Sequence, residues 1–204
     1  MYQEAFVKLS SMEVKALLDV LNPDFDGVVF SPSETLVVAQ NLSFYPGCRL
    51  LDITEYAGVP VKRRFVISSP HKNTVLNFSN EVIYEMNRSI PLLLQEETVL
   101  EYVKFFFSYV RGQYGRFLIV ETVDDMNWKD NPPPSARKSI GKMLCPVCLE
   151  KKDYKGSFYL KTTMVFKDSL FKTGIKIEPS GYISLFGEEL LIEDMPLLDD
   201  VFGQ

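Results

Sequence analysis

Three features of the sequence predict an α+β protein, with a mainly antiparallel sheet covered by about three helices and followed by a β-rich C-terminal lobe. Short strand-like runs crowd residues 27–78, helical periodicity dominates residues 79–111, and strict alternation of apolar and polar residues returns after residue 157. The 204 residues are 46% hydrophobic and 24% charged, enough apolar material for a real core and too much for a disordered chain. At this length the expectation is one large domain, or one domain with a smaller second lobe.

Ser10 followed by Glu13 is a capping-box signature. Val14, Leu17, Leu18 and Leu21 then recur at helical spacing until Asn22-Pro23, so a first amphipathic helix is predicted there. Five β-branched or aromatic runs follow between turn residues: Val28–Phe30, Thr35–Ala39, Arg49–Ile53, Val61–Ile67 and Val75–Phe78. Ser79 can cap a second helix carrying Val82, Ile83 and Met86, with Pro91 beyond its end. The strongest helical pattern spans Glu96–Arg111, where Val99, Tyr102, Val103, Phe106, Phe107 and Val110 make one stripe and Gly112 suits a left-handed cap.

Phe117–Val120 is apolar at every position, which predicts a central strand covered on both faces. Residues 124–139 lose all periodicity and contain Pro132-Pro133-Pro134, the pattern of an extended segment with no packed interior. That divides the chain into a main domain (1–123), a proline-containing loop (124–141) and a β-rich lobe with an acidic tail (142–204), or else one continuous domain interrupted by the loop. In the lobe, Phe158–Phe166 and Phe171–Ile177 alternate around a turn at Lys167-Asp168-Ser169, and Tyr182–Phe186 and Leu190–Ile192 extend the hairpin.

The net charge of −5 is unevenly distributed. Residues 1–128 hold 16 acids and 11 bases, residues 129–187 hold 5 acids and 11 bases, and residues 188–204 hold 6 acids and no base. Overall acidity makes nucleic acid an unlikely partner, because such binding depends on neutralising phosphates; only the basic C-terminal hairpin supports a weak association. No run approaches the roughly 18 apolar residues of a membrane span, so no membrane partner is expected. The sparse, odd cysteine count reads as reduced thiols and predicts a cytoplasmic location.

The sequence lacks a phosphate-binding loop, a dinucleotide fingerprint and a nucleophile elbow. Its single histidine, His71, excludes mechanisms that need two imidazoles and lies in the polar turn Ser69–Asn73. Four constellations remain. Cys145-Pro146-Val147-Cys148 has the spacing of half a zinc knuckle; Cys48 and His71 are the other soft donors, so Cys145, Cys148, Cys48 and His71 form the alternative zinc set, with no cofactor as the main expectation. Arg111 and Arg116, flanking Gly112 and Gly115, can fork onto an anion, or can simply end a helix. Glu121, Asp124 and Asp125 stand at the end of the expected central strand, where carboxylates can serve catalysis, ligate a hard metal ion or remain solvated.

The fourth constellation is the acidic C-terminal stretch, where Met195, Leu198 and Phe202 have the spacing of a helical face that docks on a partner. The competing expectation has Leu190–Ile192 folding back on the chain's own sheet. Taken together, the residues predict a non-enzymatic binding or protein-interaction module, acting on a protein partner or by self-association. The rival is an enzyme handling an anionic small molecule with Arg111, Arg116, Glu121 and Asp124.

Overall fold

A computed structural model describes residues 6–198. The chain is α+β: the described residues form two five-stranded antiparallel sheets and four α-helices. They cluster into two compact units that divide between Asn77 and Phe78, and the 124–141 segment lies inside the second unit.

In the first unit, β1 (Val7–Lys8), β2 (Thr35–Asn41), β3 (Arg49–Glu55), β4 (Lys62–Ser68) and β5 (Asn73–Leu76) form a meander in sequence order. Helix α1 (Ser11–Leu21) begins at the expected capping box, with Ser10 Oγ accepting from the Glu13 N–H and the Glu13 carboxylate accepting from the Ser10 N–H at 2.8 Å. Its buried residues Val14, Leu18 and Leu21 share a core with Val37, Leu51 and Val66. The registers Val37↔Ile53, Ala39↔Leu51, Leu51↔Val66 and Val66↔Val75 put these alternating residues on one face of the sheet.

Val28–Phe30 is not a strand, because side chains have taken the backbone groups that a strand would use. The Asn22 amide donates to Phe30 O at 3.1 Å and accepts the Phe30 N–H at 2.9 Å. Lys62 Nζ donates to Val29 O at 3.0 Å, and the Ser31 N–H donates to Glu55 Oε2 at 2.7 Å. The Lys62 ammonium, hydrogen-bonded to Glu55 at 2.7 Å, and then the Ser31 N–H hold the Glu55 carboxyl below the usual carboxylate range. A depressed folded value means that stability is gained above the unfolded value of about 4.3 and lost as pH falls through the folded one. Glu55→Gln is therefore expected to weaken the first unit at neutral pH and to converge with the wild type in acid; urea titrations across a pH series check this, and a constant gap between the two proteins would refute it.

The second unit contains α2 (Asn80–Ser89), α3 (Val99–Tyr109), β6 (Phe117–Ile119), α4 (Pro134–Gly141), β7 (Cys148–Lys152), β8 (Phe158–Phe166), β9 (Ser169–Ile177) and β10 (Ile183–Ile192). Its sheet runs β10-β9-β8-β6, with β7 also paired to β8. Strand β8 thus has β9 along one side, while β7 and β6 share the other side end to end. The expected hairpin is present, its turn held by Lys167 at φ 56°, and the two further runs merge into the single irregular strand β10.

Several expectations change here. Phe117–Ile119 is a three-residue edge strand, half-buried, rather than a central strand covered on both faces. The long helix starts at Val99 and ends in an extended Val110 without a glycine cap, since the Arg111 N–H turns away to donate to Phe78 O at 2.8 Å. Gly112 instead exchanges two hydrogen bonds with Gly115. Pro134 opens helix α4 and the proline segment is not bare: Ile140 is buried with Val120, Met126, Val165 and Leu170. Proline suits a first helical turn, where its missing N–H would have no partner.

Helices α2 and α3 meet the β9–β10 turn. The Ile183 N–H donates to Tyr84 Oη at 3.3 Å, and the Tyr102 hydroxyl donates to Gly181 O at 2.7 Å while accepting from Asn87 Nδ2 at 2.9 Å. Burial pushes the Tyr102 phenol far above its ordinary range, so it remains a neutral donor. No described helix is long and apolar enough to cross a membrane.

Candidate functional site

Alternation gives the second unit's sheet two chemically different faces. Phe158, Leu160, Met164, Ile175 and Ile177 are buried on one. The other carries Tyr159 and Lys161 on β8, opposite Lys176 and Gly174 on β9, with Ser184 and Phe186 of β10 next in register. Strand β7 adds Lys151 beside Tyr159 and Cys148 beside Lys161. Toward the far end of the same strands, Val165 and Leu170 belong to the buried cluster, so the open part of this outer face is the half around Tyr159 and Phe186.

Phe186 owes its position to a glycine. A Cβ on Gly174 would stand 2.4 Å from the Phe186 ring, so the ring lies directly over the bare backbone. It makes an edge contact with Tyr159, at 6.0 Å between centroids and 73° between planes, yet stays 41% exposed. Gly187 follows at φ 61°, where the β9–β10 register is irregular.

Charges of both signs surround this aromatic pair. Lys151 Nζ lies 4.8 Å above the Tyr159 ring, and the Tyr159 hydroxyl donates to Asp153 at 3.2 Å. Asp153 also accepts the Ser157 and Lys155 N–H groups, and these bonds, Ser157 first, hold its carboxyl below the usual range. Lys176 pairs with Glu178 at 3.0 Å, which raises its ammonium, and Lys161 lies 3.9 Å from Glu150. Lys172 faces Glu189 across the β9–β10 ladder. Four lysines and four acids thus frame one exposed phenylalanine.

The residues singled out in the sequence do not converge. The Arg111 guanidinium lies 4.4 Å over the Phe78 ring. Arg116 Nε donates to Phe107 O at 3.3 Å, and Arg116 lines a cavity of about 150 Å³ with Tyr114, Asn127, Lys167 and Leu198. Glu121 is not in that lining; it pairs with Lys104 at 2.7 Å and accepts the Val147 N–H at 3.1 Å. Asp124 is an ion-pair partner of Arg137. Two of the four are therefore tied to separate basic side chains, and only Arg116 reaches the cavity.

Met195 does not join Leu198 in one docking stripe. It is buried in the second unit's own cluster, 5% exposed, and its N–H donates to Asp168 O at 2.9 Å. Leu197 bridges Trp128, the Leu198 N–H donates to Asn127 O at 2.7 Å, and Leu198 is 55% exposed; the segment turns tightly at Pro196, where the Leu197 N–H donates to Met195 O at 2.7 Å, and is not helical. Phe202 lies outside the described residues. The tail's Leu190 and Ile192 pair with β9, so this part folds back on its own sheet.

Cys48 is buried, which raises its thiol, whereas His71 is exposed in the turn organised by Ser69 Oγ. Cys145 is half-buried and Cys148 exposed. Among the described residues no three His, Cys, Asp or Glu side chains gather as a metal's ligand set.

The exposed Phe186 ring on this face was not anticipated, though Gly174 inside an alternating strand was its available signal, since a strand glycine often marks the close approach of another group. No protein-family model, curated protein or solved structure matches the chain.

Proposed function

We propose that the protein is a protein-interaction module and that the outer face of its second sheet, centred on Phe186 and Tyr159, is the contact surface. The observation that carries this reading is a large apolar ring held exposed over Gly174 within a polar surround. Protein interfaces combine an aromatic centre with a polar rim, and the few residues that dominate their energy lie at that centre. Equal numbers of lysines and acids in the rim argue for another protein surface and against a nucleic acid, which demands an excess of cations. A second copy of this chain satisfies the same requirement, because a two-fold contact needs both signs on one patch. Three cysteines outside any disulfide suit a reducing, cytoplasmic setting.

The test places a photo-crosslinking amino acid at Ser184, on the same face, in cells making the protein at its native level. Discrete adducts are expected, and Phe186→Asp is expected to reduce them about 30-fold, the equivalent of a central contact worth about 2 kcal/mol. An adduct of twice the chain's mass identifies self-association. Adducts indifferent to Phe186→Asp, or matched by the same probe at Tyr56 of the first unit, overturn the proposal.

A further inference from the structure

We propose that Cys145 and Cys148 form a two-thiolate site for a soft monovalent metal ion of the copper(I) class. The strand register brings the pair together. Cys145 lies alongside Thr163 of β8: its N–H donates to Thr163 Oγ1 at 3.2 Å and its carbonyl accepts the Thr163 N–H at 3.0 Å. Cys148 lies opposite Lys161, two residues away on the same strand. Three steps of one chain thus match two of the other, and the extra residue is absorbed at Pro146-Val147. The two side chains are near enough to influence one another: the Cys148 thiol is raised first by partial burial and then by Cys145.

In this dithiol state each sulfur also has a backbone acceptor, Pro146 O at 3.6 Å for Cys145 and Lys161 O at 3.7 Å for Cys148. Neither residue is buried, in contrast to Cys48, which is 2% exposed. The ligand count selects the ion. Zinc in a structural site takes four ligands, and no third His, Cys, Asp or Glu joins this pair among the described residues. A closed-shell copper(I) ion is satisfied by two thiolates, and soft sulfur donors favour it. Binding replaces two S–H bonds by two metal–sulfur bonds and releases two protons, without change of oxidation state. The product carries one negative charge, and Lys161 stands opposite Cys148 in the ladder.

The experiment titrates the reduced full chain with copper(I) under anaerobic conditions against a chromophoric copper(I) chelator. One copper(I) per chain is expected, with the mass in solution unchanged. Cys145→Ser and Cys148→Ser are each expected to lose that ion, while Cys48→Ala retains it. Fluorescence of Trp128 checks folding, and the exposed Cys148 position keeps the test valid should Cys145→Ser not fold. Equal retention by the double serine variant, one ion shared by two chains, or preferential uptake of zinc(II) in a parallel titration overturns the assignment.

Discussion

Replacing Gly181 with alanine is expected to destabilise the second unit by about 4 kcal/mol. Gly181 has φ 80°, where an L side chain costs about 1 kcal/mol or more. The added Cβ would stand 2.3 Å from Asn87 Nδ2, 2.7 Å from a Leu92 methyl and 2.7 Å from Tyr102 Oη. Overpacking of this kind costs about 1–3 kcal/mol, and parting Tyr102 from Gly181 O leaves buried polar groups unsatisfied at about 1–3 kcal/mol more. Gly27→Ala is the control for the backbone alone, since φ there is 82° and nothing lies within 4 Å of the new methyl. The single tryptophan, Trp128, lies in the second unit, so its fluorescence during urea unfolding reads the Gly181 variant directly. The Gly27 control is read by hydrogen exchange in β3. Equal costs for the two variants would show that the crowding around Gly181 relaxes freely.

The second large effect is expected at Phe30. This side chain is 1% exposed and meets Phe25 edge-on at 5.3 Å. Phe30→Ala opens a cavity in the first unit's core and is expected to cost about 4 kcal/mol. Asn22→Ala keeps the ring but strips its backbone of two hydrogen bonds, at a cost of about 2 kcal/mol. Hydrogen exchange of the β3 amides at Leu51 and Ile53 measures both, because exchange from core strands reports opening of the unit. A Phe30→Ala cost below that of Asn22→Ala would mean that the segment is held mainly by its polar clip.

These two sites mark the limits of what the residues reveal in advance. Helix α1 was legible because its capping box and apolar spacing are local, and β8 and β9 because alternation fixes which residues face inward. Val28–Phe30 has strand-forming residues, but whether its backbone pairs with a neighbouring strand or with Asn22 and Lys62 depends on chain segments that periodicity does not connect. Phe117–Val120 misled for a related reason. A fully apolar run implies burial, and Val120 is indeed buried, yet its cover comes from the 124–141 segment and the tail rather than from a strand on each side.

The candidate site shows the same limit. Arg111, Arg116, Glu121 and Asp124 are neighbours in sequence, but each side chain meets a different part of the unit. Phe186 and Gly174 are 12 residues apart, and only the β9–β10 register places one over the other.

The shared edge of β8 has a kinetic consequence. Its partner β9 follows after a tight turn, so this hairpin closes a very short loop, whereas β6 meets β8 only by closing the far longer stretch from Val120 to Ser157. Loop closure grows more costly with chain length, and local contacts form first when routes compete. The hairpin should therefore already be built at the folding barrier, with β6 zipping on afterwards. A strained residue in the Lys167–Ser169 turn would slow refolding, while trimming Leu118 on the late edge would chiefly hasten unfolding.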